Sequence, residues 1–181
     1  SQIEPQWAFR QFKIKDSSII SWIGPMNIYP DNIVDYEDHD KEIRGDELIH
    51  FIIEHFDCQP ANIRLCYHRQ RLFIMIVQKN LEKIGIKTLR RGDDLYHLNE
   101  SKIEYKLSVS IATCSNNSMK IHFAMNIIST GTPSDVKITS LNDCIRGFTT
   151  EEIFQLADDI ADDYVDELSA IESDITKTKV F

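Results

Sequence analysis

The sequence predicts an α+β fold, a largely antiparallel set of strands packed by about three helices, and three observations predict it. Residues 94–130 alternate apolar and polar side chains with period two, the pattern of strands with one covered and one polar face. Three other stretches, 46–56, 69–84 and 149–168, repeat apolar residues at helical spacing. The composition, 42% hydrophobic and 27% charged with 6 Gly and 5 Pro, is that of an ordinary globular chain. Its 181 residues suit one domain spanning 1–181, since domains typically run ~100–200 residues.

Each element follows from local signals. Residues 18–24 read as a strand ended by Gly24-Pro25, with a second short extended piece at 26–29. The stretch 31–46, DNIVDYEDHDKEIRGD, has no sustained period and reads as a long, acidic, mobile connection. A helix is expected from Asp46 as N-cap, with Leu48, Ile49, Ile52, Ile53 and Phe56 facing inward, ended by Pro60. Residues 62–68 read as a strand. Residues 69–84 read as a helix with the stripe Leu72, Phe73, Ile76, Val77, Leu81 and Ile84, closed by Gly85. A strand near IKTLRR (86–91) follows, then the alternating strands 102–114 and 118–130. An amphipathic helix over 149–168 closes the order, and the polar tail from 169 is expected to fray or dock weakly.

Charge narrows the function classes. The net charge of −9 argues against DNA or any other phosphate backbone as partner. Residues 58–130, however, carry 11 bases against 5 acids, so a small anionic ligand is expected there. Apolar runs are too short to cross a bilayer, which needs ~20 residues, and no charged-then-apolar signal segment opens the chain, so a cytoplasmic protein without a membrane partner is expected. The four cysteines show no CxxC spacing and read as reduced thiols, and the six histidines are scattered, so no zinc, haem or flavin is expected.

In RRGDD, Arg90 and Arg91 offer forks for phosphate oxygens and Gly92 permits close backbone approach. Asp93 and Asp94 could hold Mg²⁺. The same residues also make ordinary surface turns. Strand 102–114 is expected to pair with 118–130 through an odd-length loop that puts Met119, Ile121, Phe123 and Met125 on the face of Val109 and Ile111. Lys106, Ser108 and Ser110 then share a face with His122, Ala124 and Asn126, with Lys106 opposite Asn126 or one pair away. Small side chains around one lysine suit a carboxylate or phosphate pocket, and the same alternation also describes the wet side of an exposed sheet.

The run from WAFRQF (7–12) through IRGDELIHFIIEHF (43–56), RRGDDLY (90–96), KLSVSIATCSNNSMKIHFAMNI (106–127) and Pro133 resembles the uncharacterised domain-of-unknown-function family numbered 366. That resemblance implies a fold similar to the biotin and lipoate protein ligases, a mixed sheet packed by helices and related to the class II aminoacyl-tRNA synthetase core. Over 62–150, RRGDDLY resembles the ligases' Lys-Trp-Pro-Asn-Asp-Leu stretch, and KLSVSIAT their strand beginning Lys-(Leu/Ile)-(Ala/Ser)-Gly. HFAMNI with TSL (139–141) is similar to their Gly-Ile-Gly-Ile-Asn-Val strand and its downstream Thr-Ser-Leu. The match puts Lys106 where a lysine contacts the acyl carboxylate and adenylate phosphate, Asp93 and Asp94 near metal and nucleotide, and Asn126 beside the adenine. The chain departs from the ligases after LCYHRQR, where no glycine-arginine loop follows, leaving Arg69, Gln70 and Arg71 to supply part of its charge.

Together these readings imply a pocket for a small carboxylate or nucleotide, with ATP and Mg²⁺ as cofactors and Lys106 as the catalytic residue. Arg69, Gln70, Arg71, Arg90, Arg91, Gly92, Ser108, Ser110, His122 and Asn126 are the ligand-binding candidates, and Asp93 and Asp94 the metal ligands. The implied activity is acyl-adenylate formation or acyl transfer. The alternatives are a non-catalytic binding module and a homo-oligomer that uses an apolar face as an interface.

Overall fold

The computed structural model describes residues 2–29, 33, 41–145 and 147–179. In chain order its elements are α1 (Trp7–Phe12), β1 (Ser18–Ile28), β2 (Ile43–His55), α2 (Ile63–Lys83), β3 (Thr88–Arg91), β4 (Asp94–Leu98), β5 (Glu104–Lys106), β6 (Ser108–Cys114), β7 (Met119–Asn126), α3 (Leu141–Cys144) and α4 (Thr150–Lys177). The named strands form two antiparallel sheets, β1-β2-β7-β6 and β3-β4-β5, and a parallel bridge joins Lys106 to Ile138. The architecture is the expected α+β one.

Strand β2 is central, between β1 and β7, and both of its faces are covered. Ile49, Phe51 and Ile53 point into the main core with Phe73 and Val77 of α2, Phe123 of β7 and Tyr164 of α4. Phe51, Phe73, Phe123 and Tyr164 stack edge-on or tilted with ring centroids 5.2–6.2 Å apart. The opposite face carries His50, Ile52 and Glu54, also buried.

That burial explains the first correction. The expected helix from Asp46 is strand β2. An apolar run covered on both faces has no alternation to display, and Leu48, Ile49, Ile52 and Ile53 happen to match helical spacing as well. The second correction follows it. Residues 62–68 are the opening turns of α2, not a strand, because the Asn62 side chain accepts the Leu65 N–H at 3.1 Å as an N-cap and the inward stripe simply starts earlier, at Cys66 and Gln70. Gly85 does close that helix, at φ +90°.

The 102–114 strand breaks at Leu107. β5 belongs to the small sheet and β6 to the large one, and Leu107 and Ser108 are both buried at the crossing. The even length of the loop between β6 and β7 inverts the expected faces. Ser108, Ser110 and Ala112 sit opposite Met125, Phe123 and Ile121 on the core side, while Val109 and Ile111 sit opposite Ala124 and His122. The loop has four residues, 115–118, with the Ser115 N–H donating to the Ser118 carbonyl at 2.9 Å, rather than an odd number. β1 is one strand with a bulge between Gly24 and Met26, where Pro25 needs no ladder partner. Most of the acidic connection, 30–32 and 34–40, lies outside the described residues, and its end at 43–46 is strand. Finally, α4 runs on to Lys177, so the tail from 169 is largely helix. Among the described residues no helix is long and apolar enough to cross a membrane.

Candidate functional site

A cavity of about 720 Å³ opens where the small sheet meets the polar face of the large one. Lys106, at the end of β5, lies on its wall. Its ammonium pairs with the Asp94 carboxylate at 2.7 Å, and both side chains are about one-quarter exposed. The chain is held at this point from two sides, since the Lys106 N–H donates to the Lys137 carbonyl at 2.8 Å and its own carbonyl accepts from Thr139 at 2.9 Å. Asn126 is one pair away, its N–H donating to the Leu107 carbonyl at 3.0 Å, and its Nδ2 donates to the Thr139 carbonyl at 3.1 Å. Both line the cavity, brought together by the break at Leu107 rather than by one regular strand face.

Gly92 and Asp93 form the two-residue turn between β3 and β4, with Gly92 at φ +63°. The Asp93 carboxylate pairs with Arg71 through Oδ1 at 2.9 Å and accepts a hydrogen bond from Gln70 at Oδ2 at 3.1 Å. Gln70 Nε2 also donates to Ser110 Oγ at 2.9 Å, and Ser110 Oγ donates to the His122 carbonyl at 3.2 Å. This chain of bonds ties the hairpin turn through α2 to β6 and β7. Ser108 Oγ accepts the Leu95 N–H at 3.0 Å, so both serines tie neighbouring elements together at the edge of the cavity.

Among the residues singled out in the sequence, the structure brings Asp93, Asp94, Lys106, Ser108, Ser110, His122 and Asn126 to the cavity. Arg69, Gln70, Arg71, Arg90, Arg91 and Gly92 are outside its lining. Arg69 makes a two-pronged ion pair with Asp57 at 2.6–2.7 Å. Arg90 donates to the Gly92 carbonyl at 2.6 Å, and Arg91 pairs with Glu104.

Sequence reasoning missed Trp22, Lys41, Arg44 and His50, which line the cavity too. Trp22 and His50 face each other across β1 and β2 with ring centroids 4.8 Å apart and 6° between planes. His50 Nδ1 lies 3.1 Å from His122 Nε2, and His50 Nε2 lies 3.1 Å from the Gly24 carbonyl at the bulge. Burial pushes the His122 imidazole down to about 3 and lowers His50 as well, so both rings are neutral near pH 7. Reading 46–56 as a strand would have put His50 beside Trp22.

Comparison with known proteins follows the same lines. A family model described as Domain of unknown function (DUF366) matches residues 1–179. The uncharacterized protein MJ0805 of Methanocaldococcus jannaschii is 37% identical over 183 residues, covering 98% of this chain and 77% of that one. A protein of unknown function from Pyrococcus horikoshi superposes with a TM-score of 0.86 at 32% identity, over 99% of this chain and 90% of that chain. The apo biotin protein ligase from Aquifex aeolicus superposes with a TM-score of 0.50 at 16% identity, over 66% of this chain and 53% of that one. At that identity the likeness is one of fold, and the fold is biotin/lipoate protein ligase-like, as the motifs implied.

Proposed function

We propose that this chain, which belongs to the family described as Domain of unknown function (DUF366), takes a small carboxylate or nucleotide into the cavity beside Lys106 and makes or transfers an acyl group there. The observation that carries this reading is the Lys106 ammonium, held by Asp94 at 2.7 Å on the wall of a cavity of about 720 Å³ that Asn126 also lines. A fixed, partly desolvated cation is preorganised for an incoming anion. Small-molecule sites commonly enclose ~300–1,000 Å³. Lys106 would stabilise charge developing on the carboxylate oxygens, and Asn126, anchored to Thr139, would orient the acid.

ATP is the co-substrate this reading implies, and it would transfer its adenylyl group to a carboxylate oxygen with pyrophosphate as the leaving group. Lys41, Arg44 and Lys106 line the cavity and would take its phosphates. A preformed Mg²⁺ site at Asp93 and Asp94 fits poorly, because Gln70 and Arg71 occupy both Asp93 oxygens and Lys106 engages Asp94. We therefore assign the two aspartates to holding Gln70, Arg71 and Lys106 in place.

A second reading, a binding module without turnover, is favoured by the placement of Arg69, Arg71, Arg90 and Arg91 outside the cavity lining. One experiment separates the two. The purified chain is melted with ATP, AMP, biotin, lipoate and octanoate, with and without Mg²⁺, and pyrophosphate release is followed in parallel. A ligand that binds the folded state raises the midpoint by mass action. Acyl-forming activity requires a shift from acid plus nucleotide and a rate that drops about a hundredfold or more in Lys106→Ala. A Lys106-dependent shift without turnover identifies the binding module. No shift from any acid or nucleotide refutes both.

A further inference from the structure

Part of the cavity wall is built from rings. Trp22, His50 and His122 come from three neighbouring strands, and their planes lie within 6–15° of one another. Hydrogen bonding fixes the positions of the two imidazole protons. The Gly24 carbonyl can only accept, so His50 Nε2 carries the hydrogen. In a neutral ring that leaves His50 Nδ1 as an acceptor, and His122 Nε2 must donate to it. His122 Nδ1 is then the bare end of the chain, an acceptor without a hydrogen-bond partner among the described residues, on a side chain that lines the cavity. Ile111 of β6 sits opposite His122 in the sheet and lines the cavity with it.

We propose that this wall of the cavity recognises an uncharged nitrogen heterocycle that carries an N–H donor, its ring in the plane of the His122 imidazole and its N–H donated to His122 Nδ1. The inference rests on the cavity being a ligand site, and it is independent of acyl chemistry at Lys106. Neutral imidazole is what such a contact needs, since a protonated ring would present a second donor and repel the ligand's N–H. Burial, which keeps His122 unprotonated down to about pH 3, serves that role.

The test uses the full chain labelled with ¹⁵N-histidine and two pairs of probes. These are 9-methyladenine against N6,N6,9-trimethyladenine, and uracil against 1,3-dimethyluracil, so that each pair keeps the ring and removes the N–H. In the free protein His122 should report a protonated Nε2 and a bare Nδ1. At least one N–H probe should shift the Nδ1 resonance saturably, and its methylated partner should bind several-fold to about tenfold more weakly, the worth of one neutral hydrogen bond. His122→Phe, which keeps a flat ring, should lower the affinity of the N–H probe to that of its partner. Equal binding within both pairs, or no binding of either N–H probe, overturns the inference, and the wild-type comparison decides it even if His122→Phe does not fold. The probes carry no carboxylate or phosphate, and pyrophosphate release is followed in a separate assay, so failure of the carboxylate reading is seen apart from failure of this one.

Discussion

Two residues show how closely local chemistry is set against its surroundings. Gly131 has φ +72°, and a Cβ there would lie 2.0 Å from Asp46 Oδ1. Gly131→Ala should therefore destabilise by about 2 kcal/mol or more, read as a lower urea midpoint, and Asp46→Ala should recover part of the loss by removing the clash while leaving the backbone strain. Lys120 and Glu54 are each about 1% exposed, with Nζ and Oε1 3.6 Å apart. Desolvation draws the ammonium down to about 8 against the pull of Glu54, and its remaining bond goes to the Ile3 carbonyl at 2.9 Å. Lys120→Met leaves Glu54 without its cation in a dry site and should cost about 3–5 kcal/mol, whereas adding Glu54→Gln should restore much of it. If the single and double variants are equally unstable, the pair is not coupled.

At the scale of elements, α4 was legible and β2 was not. Thr149 caps α4 with a reciprocal box, accepting the Glu152 N–H at 3.2 Å while the Glu152 carboxylate accepts the Thr149 N–H at 2.8 Å. Thr149→Ala should cost about 1 kcal/mol in thermal or urea unfolding. The junction of β2 with α4 carries a pH dependence. His55 is buried and bonded to the Tyr164 hydroxyl at 3.0 Å, and desolvation lowers it from 6.5 to about 4. His50 and His122 are lowered too. In each case the unfolded chain binds the proton first, so stability is full above about pH 6.5 and falls as the pH drops toward 4. Carboxylates contribute little between pH 7 and 5, which makes that interval diagnostic. A midpoint that stays level across it would show that these rings are not buried as neutral groups.

Across the whole molecule, the candidate site exists because the chain changes sheets. Period two at 94–130 correctly announced strands, and Lys106 and Asn126 were correctly expected within one pair of each other. The faces were not legible, since they follow from the length of the loop at 115–118, which has four residues where an odd number was expected, and from the switch of sheets at Leu107. A short N-terminal segment also closes over the polar face of the large sheet. Gln6 donates to Glu54 at 2.7 Å and Trp7 lies 5.8 Å from Trp22. Removing residues 2–12 should lower the melting midpoint and red-shift the fluorescence of Trp22, and an unchanged spectrum would show that this segment does not shield it. By itself the sequence determined what short-range signals encode. These are the α+β class, the α2 end at Gly85, the turn residues Gly92 and Asp93, the start of α4 near Thr149, and the family motifs around Lys106. Tertiary structure alone decided that 46–56 is a strand, that Ser108 and Ser110 bond to Leu95 and Gln70, and that Trp22, His50 and His122 come together. The physical reason is burial on both faces. A central strand loses the alternation that identifies it, and which polar groups meet across it depends on neighbours far away in the chain.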